Sequence, residues 1–417
     1  MRRTLIKNAS VLTMDARKTE LTHGDVLMEH GKIAKIGPSL VVDDAEVIDA
    51  SGMIAMPGMV DNHRHVWEFI DIGQIVKLRP APFLPAYQEW KMRTMVSMDP
   101  EDHYLAELAG GLHAIDTGVT TVVDYAHGQH TREHVFAAAQ GLKDSGIAGW
   151  FAHQMGVSSS YRPGDTVSMQ EATAQRIAAT TEAHWQTLER LQKDLFSDAS
   201  SVLQLGVAPS GNNGSEIRAI RDEWARLRGM GIQFMAMHIH QPAKPHAASR
   251  MGHRASGIED LHDAGLLGPD YQVVHANSLT ERETDFLVRA GCMLSVTPMG
   301  EITYVLSPKK GPPIHGRAMR AGLPTGIGID VPLAVPGDFF EHVRSAYWSL
   351  FLDAQHLDIA ATVQPQDMLD LATANGAASC RLAGVTGSLT EGARADLILL
   401  CTDRIHFGRA GTLAARV

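Results

Sequence analysis

Residues 58–65, GMVDNHRH, join a short apolar run to two histidines separated by one residue. Successive side chains of a β-strand point to opposite faces, so His63 and His65 would point to the same side and could bind one ion together. Taken alone, the motif fits two polar residues of an ordinary turn equally well. The function of this stretch therefore depends on what the rest of the chain places beside it.

Similar apolar runs recur along the chain, and stretches with a helical pattern separate them. With GMVDNHRH they make eight candidate strands, the other seven being GVTTVVDYAH (118–127), IAGWFAHQMG (147–156), VLQLGVAPSG (202–211), IQFMAMHIH (232–240), YQVVHANS (271–278), CMLSVTPMG (292–300) and TGIGIDVP (325–332). Parallel strands need crossover helices of this kind. The pattern therefore predicts an α/β fold, a (β/α)8 TIM barrel over residues 58–384.

The segments on either side of the predicted barrel have a different pattern. Residues 1–57 alternate apolar and polar positions between turns, and GSLTEGARADLILL (387–400) returns to this pattern. We therefore expect a small β-sandwich domain formed by residues 1–57 and 385–417. The long connection over residues 66–101 is expected to cover the substrate, because βα-loops build the active face of a barrel. A loop that packs on the side of the barrel is the alternative.

Composition excludes several classes of protein. The chain has 417 residues, 44% of them hydrophobic, with a formal net charge of −10 and no concentrated run of basic residues. Nucleic acid is therefore not an expected partner. No signal-peptide core or membrane-length apolar run occurs, and three cysteines without CxxC spacing give neither a disulfide framework nor a thiolate zinc site. We expect a cytoplasmic, homo-oligomeric protein that does not bind membranes.

Three other predicted strands also end in a group that could bind a metal or act beside one. His238 follows an apolar run in QFMAMHIH and is favoured over His240 as a ligand because it lies in the strand pattern. His275 ends YQVVH, and Asp330 ends TGIGID, where a bare carboxylate is costly unless it is paired or metal-bound. Each of them singly could be a capping residue or a hydrogen-bonded core residue.

The set PGMVDNHRH, His238, His275, GIGIDVP, TANGAA and GSLTEGARADLILL resembles the amidohydrolase superfamily, in its cytosine deaminase and triazine hydrolase-like branch. The resemblance implies that His63, His65, His238 and Asp330 bind one divalent metal, with Zn²⁺ favoured over Fe²⁺. It also implies that His275 contacts the substrate or the activated water. Binuclear members usually have a lysine near the end of strand four, whereas VLQLGVAPSGNNG has none, which favours a single metal.

The resemblance further implies the chemistry. A metal with an open coordination position lowers the pKa of water. Asp330 would take the proton of the attacking water and pass it to the leaving group, and His275 would stabilise the negative charge that develops. Members of the superfamily usually have further strands after ADLILL, so we expect the C-terminal part of the sandwich to be incomplete in this chain.

One position departs from the deaminase pattern. Deaminases of this branch commonly have a glutamate three residues after the strand-five histidine, and here that position is Gln241. An amide cannot donate a proton as an acid does, which argues against ordinary pyrimidine or purine deamination. Glu68, Glu301 and His240 are candidate replacements, with Glu301 preferred because it follows a strand end.

Further residues are expected to line the substrate pocket. Asp124 and His127, in VVDYAH, would lie beside the metal, although Asp124 could instead orient a ligand histidine. Trp67 belongs to a group of aromatic and methionine side chains that suits a flat, weakly polar substrate. Glu68 and Gln241 complete the predicted substrate contacts.

The sequence therefore predicts a mononuclear metal-dependent hydrolase that cleaves a carbon–nitrogen bond of a small cyclic or heteroaromatic substrate. Deamination is favoured, with amide, urea or carbamate cleavage, or dehalogenation, as the alternative on the same scaffold. A non-catalytic scaffold protein is disfavoured because such chains lose ligands. A metal-storage role for HGQHTREH (127–134) is disfavoured because that spacing fits a solvated helix start at least as well.

Overall fold

The computed structural model describes most of the chain. The described residues are 3–72, 87, 90, 91, 93–95, 97–156, 180–210, 217–239, 257–305, 312–352, 357–404, 407 and 411–417. His240 and Gln241 lie outside them, as does most of the connection after the first barrel strand.

Strands from both ends of the chain form the smaller of two sheets. These strands are β1 (Arg3–Leu12), β2 (Glu20–Glu29), β3 (Lys32–Gly37), β4 (Glu46–Asp49), β5 (Met53–Pro57) and β14 (Leu397–Cys401). Their order is β14-β5-β1-β2-β3, with β4 paired to β1. Strand β14 runs antiparallel to β5, with Leu397 opposite Pro57, so the segment after the barrel returns to the N-terminal strands. The domain boundaries at residues 57/58 and 384/385 stay predictions.

Alternation along these strands buries both faces of the sheet. Ile6 and Val26 contribute to one apolar cluster, whereas their chain neighbours Leu5 and Leu27 contribute to another. This is the period of two expected for strands whose two faces are both covered. Other residues of the sheet, among them Ile54 and Met56, join the large core that the barrel also forms.

The larger sheet contains eight parallel strands in chain order, which confirms the predicted TIM barrel with a small β domain. The strands are β6 (Met59–Arg64), β7 (Val119–Ala126), β8 (Ala148–Gln154), β9 (Leu203–Ala208), β10 (Met235–Ile239), β11 (Tyr271–His275), β12 (Met293–Val296) and β13 (Thr325–Ile327). The first and last strands meet at a parallel bridge between Arg64 and Asp330. There the Asp330 N–H donates to the His63 carbonyl, and the His65 N–H donates to the Asp330 carbonyl.

Helices surround the barrel. Those of the described residues are α1 (Pro100–Asp116), α2 (Arg132–Asp144), α3 (Glu182–Asp194), α4 (Ile217–Gly229), α5 (Ile258–Asp263), α6 (Glu281–Ala290), α7 (Pro298–Val305), α8 (His315–Ala321), α9 (Phe339–Ser349), α10 (Leu357–Ala360), α11 (Pro365–Leu371), α12 (Ala374–Ala378) and α13 (Leu413–Arg416), with short 3₁₀ helices at Val66–Asp71 and Leu350–Leu352. Helix α1 begins with a capping box between Asp99 and Asp102, with proline at its first position. None of these described helices is both long enough and apolar enough to cross a bilayer.

The barrel strands separate two apolar layers. Val122 and Ala126 of β7 face the large core between strands and helices, whereas Val123 and Tyr125 face the barrel interior. Polar side chains become buried toward the carboxyl ends of the strands, where His63 and Asp61 are 0% exposed. A parallel barrel directs the carboxyl ends of all its strands to one face, so the fold gathers these polar residues there.

Candidate metal centre

Five side chains converge at the carboxyl end of the barrel. The ligand atoms of His63, His238, His275 and Asp330 all lie within 4.8 Å of one another. His65 joins them, because its Nε2 lies 3.4 Å from Asp330 Oδ1, the same distance that separates His63 Nε2 from that oxygen. His275 Nε2 lies 3.9 Å from Asp330 Oδ2. The residues that the sequence predicted as ligands therefore do lie together.

Strand register and an unusual backbone position these groups. His63 and His65 leave β6 on the same side, and His238 and His275 come from the adjacent strands β10 and β11. His275 and Asp330 have φ values of 66° and 68°, in the left-handed region that non-glycine residues rarely adopt. The two backbone hydrogen bonds that link Asp330 to His63 and His65 hold Asp330 in this conformation. Such strained residues often mark functional sites.

Hydrogen bonds and burial determine the protonation of the imidazoles. The Nδ1–H of His65 donates to the Tyr125 carbonyl over 2.9 Å, and its Nε2 lies on the side of Asp330. Burial lowers the pKa of His63, and it lowers the pKa of His65 to about 4. These rings are therefore neutral near pH 7, which is the form that binds metals.

Asp330 is held in its charged form. Burial alone would raise the pKa of this carboxyl group, but the neighbouring imidazoles of His275, His63 and His65 hold the pKa well below its usual range. A carboxylate with neutral imidazoles around it is a donor set that divalent metals such as Zn²⁺ bind.

His63 provides a direct test of whether these residues fit a metal. Its side chain is 0% exposed, and within the described part of the chain neither ring nitrogen has a partner with hydrogen-bond geometry, the Asp330 carboxylate being 3.4 Å from Nε2. A buried polar group without a partner is costly, and a metal ion would satisfy it. The donor set and this unpartnered ring together fit one divalent ion.

Glu301 lies behind His275 and is engaged by several donors. Its Oε1 accepts from His275 Nδ1 at 3.1 Å and from the Thr297 N–H at 2.8 Å, and its Oε2 accepts from Asn277 Nδ2 at 3.0 Å. Glu301 is 1% exposed. This carboxylate is therefore placed to orient His275, whereas the sequence predicted a direct substrate contact or proton donor.

Trp67, Glu68 and His127 form a polar layer next to the metal ligands. The His127 ring stacks on the His65 ring with centroids 3.8 Å apart, and His127 Nδ1 accepts from Trp67 Nε1 at 2.9 Å. Glu68 Oε1 accepts from Tyr87 Oη at 2.7 Å. The sequence predicted Trp67, Glu68 and His127 at the site, and the structure brings them together beside His65.

Lys91 is a member of this layer that the sequence did not predict. Its Nζ lies 3.3 Å from His127 Nε2 and 5.0 Å from the centre of the Tyr87 ring, and the side chain is buried. A lysine within the long connection carries no distinguishing sequence pattern. What distinguishes Lys91 is its burial, because a buried lysine is rare unless it is paired. Burial cannot be read from the sequence.

Asp124 has a different position from the one predicted. Its Oδ1 accepts from the Val66 N–H at 3.1 Å, so it fixes the start of the 3₁₀ helix that follows the HxH strand. Burial raises its pKa to about 8. The acceptor that orients the ligand His65 is instead the carbonyl of the next residue, Tyr125.

His238 is the described member of the pair of candidate strand-five ligands. Its ring lies 4.2 Å from the Tyr125 ring and 4.8 Å from the His63 ring, measured between centroids. His240 and Gln241 fall outside the described residues, and their predicted contacts stay predictions.

Comparison with known proteins identifies the family. The amidohydrolase family matches residues 54–411, most of the chain. The chain belongs to the amidohydrolase family. This amidohydrolase is 25% identical over 412 residues to a 5'-deoxyadenosine deaminase from Methanosarcina mazei, an alignment that covers 96% of this chain and 85% of that protein. It is 23% identical over 410 residues to a 5-methylthioadenosine/S-adenosylhomocysteine deaminase from Thermococcus sibiricus, with 96% and 86% of the two chains covered.

Solved structures share the fold of this amidohydrolase. An adenosine deaminase from Xanthomonas campestris with bound zinc superposes with a TM-score of 0.77 at 18% identity, over 99% of this chain and 88% of that one. Atrazine chlorohydrolase TrzN from Arthrobacter aurescens TC1, complexed with zinc, gives a TM-score of 0.78 at 17% identity over 99% and 90%. The amidohydrolase is thus a hydrolase of carbon–nitrogen bonds in small molecules, with a site that fits a divalent metal.

Proposed function

We propose that this amidohydrolase is a mononuclear deaminase that removes an amino group from a small heteroaromatic ring. The observation that carries the proposal is the convergence of four histidines and Asp330 at the carboxyl end of the barrel. His63, His65, His238 and Asp330 would hold one divalent metal, and Zn²⁺ is preferred because imidazole and carboxylate ligands with an open position suit it. When bound, the metal lowers the pKa of water and so supplies a nucleophile near neutral pH.

The protein groups then move the protons. Asp330 is ionised and lies within 3.4 Å of two imidazoles, so it can accept a proton from the attacking water and deliver it to the departing amine. His275 presents Nε2 toward the same carboxylate while Glu301 holds its Nδ1. The Glu301 carboxylate beside Nδ1 stabilises a positive charge on the His275 ring when Nε2 is protonated. The protonated Nε2 can then donate to the substrate atom on which negative charge develops.

The names of the relatives support the substrate class. The Methanosarcina and Thermococcus proteins are named as deaminases of adenosine derivatives, and one solved structure with the same fold is an adenosine deaminase. We therefore place an aminated purine-like or triazine-like ring against the layer of Trp67, Glu68 and His127. In this layer the rings of Trp67 and His127 stand beside one carboxylate, and aromatic side chains with a few polar groups are typical of pockets for flat, weakly polar ligands.

Gln241 supports a second candidate function. Because an amide cannot act as an acid, a reaction that needs no proton at that position, such as amide, urea or carbamate cleavage or dehalogenation, is the alternative on this scaffold. The expected homo-oligomer and cytoplasmic location stay predictions.

Product analysis separates the two functions. Metal-loaded protein would be incubated with aminated purines, pyrimidines and triazines and, in parallel, with aromatic amides, ureas and chlorotriazines, and released ammonia, amine and chloride would be measured. Chelator-treated protein is the control. Chelator-sensitive ammonia release from the aminated rings supports deamination. If only amine or chloride is released, the assignment as a deaminase is wrong and the second function takes its place.

A further inference from the structure

A cavity with several polar side chains in its lining lies outside the barrel wall, between the first turns of helices α2 and α3. Its volume is about 280 Å³, and its lining includes Gln129, His130, Arg132, His153 and Thr181. His153 is in register with Ala126 and Val207, which both face the layer between strands and helices, so it also points away from the barrel interior. The cavity is therefore separate from the metal centre.

Several buried polar atoms of the lining residues have no hydrogen-bond partner among the residues that the structure describes. His153 and Gln129 are each 3% exposed, and both ring nitrogens of His153 and both amide atoms of Gln129 are unsatisfied. His130 Nδ1 and Arg132 Nε are unsatisfied as well. Because nearly all buried polar groups in proteins are paired, this concentration points to a polar ligand.

The lining has the charge of an anion site. No aspartate or glutamate is among the described lining residues, whereas Arg132 carries a permanent positive charge. Glu133, in the first turn of α2, is exposed and is not among the described lining residues. The start of α2 is capped by the Thr131 side chain, which accepts from the His134 N–H, so the binding capacity of the cavity rests on the buried side chains rather than on the helix terminus.

The buried histidine is a neutral donor there. Burial, reinforced by the charge of His184, lowers the pKa of His153 to about 3. A neutral imidazole still donates one N–H, and the Gln129 amide donates two. These donors supplement the guanidinium of Arg132.

We propose that this cavity binds a tetrahedral oxyanion, phosphate either free or as the terminal group of a phosphate monoester. Phosphate has only acceptor oxygens when fully ionised, and it is bound in proteins by guanidinium together with neutral N–H donors. The cavity is large enough for the anion and a small organic group attached to it. This binding site adds to the proposed deaminase activity and does not depend on it.

Calorimetric titration with inorganic phosphate and with methyl phosphate tests the site. The wild-type protein is compared with Arg132→Gln, which removes the charge, and with Gln129→Glu, which puts a carboxylate in the place of an amide. The control is Arg190→Gln on helix α3, whose side chain is 59% exposed and is not part of the lining. Titrations at constant ionic strength, with and without chelator treatment, separate the cavity from the metal centre.

We expect saturable binding at one site that survives chelation, is weakened at least about tenfold in both cavity variants and is unchanged in the control. Tighter binding of methyl phosphate than of phosphate would identify a monoester as the ligand, and the reverse order would identify the free ion. Equal affinity in all four proteins, no saturable binding to the wild type, or loss of binding on chelation would each overturn the proposal. Because none of these readouts is catalytic, a failure of the deaminase assignment would leave the result intact.

Discussion

Asp330 is the residue on which the proposed chemistry depends most directly. Asp330→Asn keeps the size of the side chain and removes its negative charge from a site surrounded by imidazoles. We expect kcat to fall by about 10²–10⁴-fold because the proton acceptor is lost. Steady-state kinetics, metal content and thermal unfolding would be measured together. Asp358→Asn, at a side chain 71% exposed, is the control. Retained turnover in Asp330→Asn would rule out the proposed mechanism.

Glu301 tests whether orientation of His275 matters. Glu301→Gln keeps an acceptor oxygen but replaces the other oxygen by an N–H₂ group, which would meet a donor of Asn277 or Thr297. Loss of such a positioning contact typically costs 10–100-fold in activity or metal affinity. We expect kcat to fall by about that factor with little change in KM. The readout is kinetics over a pH range, with Glu341→Gln on the surface as control. An unchanged pH profile and kcat would contradict the positioning role.

For individual residues, the sequence predicts which side chains gather at the candidate metal centre better than it predicts their hydrogen-bond partners. His63 and His65 are candidates from their HxH spacing, and His238 and Asp330 from their places at the ends of apolar runs, and the family resemblance implies that the four bind one metal. The partner of Asp124, in contrast, is a backbone N–H that reaches it only because β6 and β7 pair in one particular register. Side chains such as Lys91 enter the site from a long connection, whose path the local pattern does not determine.

Among the elements, the meeting of the first and last barrel strands brings His63 and His65 to Asp330 and so completes the candidate metal centre. Gly328, just after β13, packs so close to His63 that a Cβ would clash with the backbone nitrogen and oxygen of that histidine. Gly328→Ala would therefore push the two strands apart. We expect loss of metal and of activity, and a stability loss of about 1–3 kcal/mol.

The matched control for this prediction is Gly229→Ala. Gly229 ends helix α4, and a Cβ there would meet nothing within 4 Å. Alanine favours helix by about 1 kcal/mol relative to glycine, so this variant should be as stable as the wild type or slightly more so. Metal content and the unfolding midpoint are the measurements. Full metal content in Gly328→Ala would show that strand closure is not needed to build the site.

Elements are predictable where a long apolar pattern specifies them. Seven of the eight predicted barrel strands overlap described strands of four or more residues, whereas β13 is only Thr325–Ile327. Asp330 follows that strand in a left-handed conformation, which no periodicity indicates because the conformation depends on hydrogen bonds to another strand. The covering role predicted for residues 66–101 lies largely outside the described residues.

At the scale of the whole molecule, buried histidines connect stability to pH. Burial lowers the pKa of His103 to about 3 and that of His342 to about 4, from an unfolded value near 6.5. Below pH 6.5 these histidines take up protons when the protein unfolds. Their contribution to the free energy of unfolding is therefore complete above that pH and is lost as the pH falls toward 4. We expect the unfolding temperature to drop by several degrees between pH 7 and pH 4.

Substitution of one such histidine checks the cause. His103→Gln should make the pH dependence less steep because one group that takes up a proton on unfolding is gone. His262→Gln, at a side chain 44% exposed, should leave the slope unchanged. Thermal unfolding across this pH range is the measurement, and equal slopes in all three proteins would refute the assignment to buried histidines.

The candidate metal centre is a property of the closed barrel, since its five groups come from β6 and the residue that follows it, from β10 and β11, and from the loop after β13. Elemental analysis of the purified protein by mass spectrometry, together with activity after chelation and metal return, tests whether these residues hold a catalytic metal. The expectation is one equivalent of a divalent metal per chain, with activity that disappears on chelation and returns with Zn²⁺. Two equivalents per chain, or full activity in metal-free protein, would contradict it.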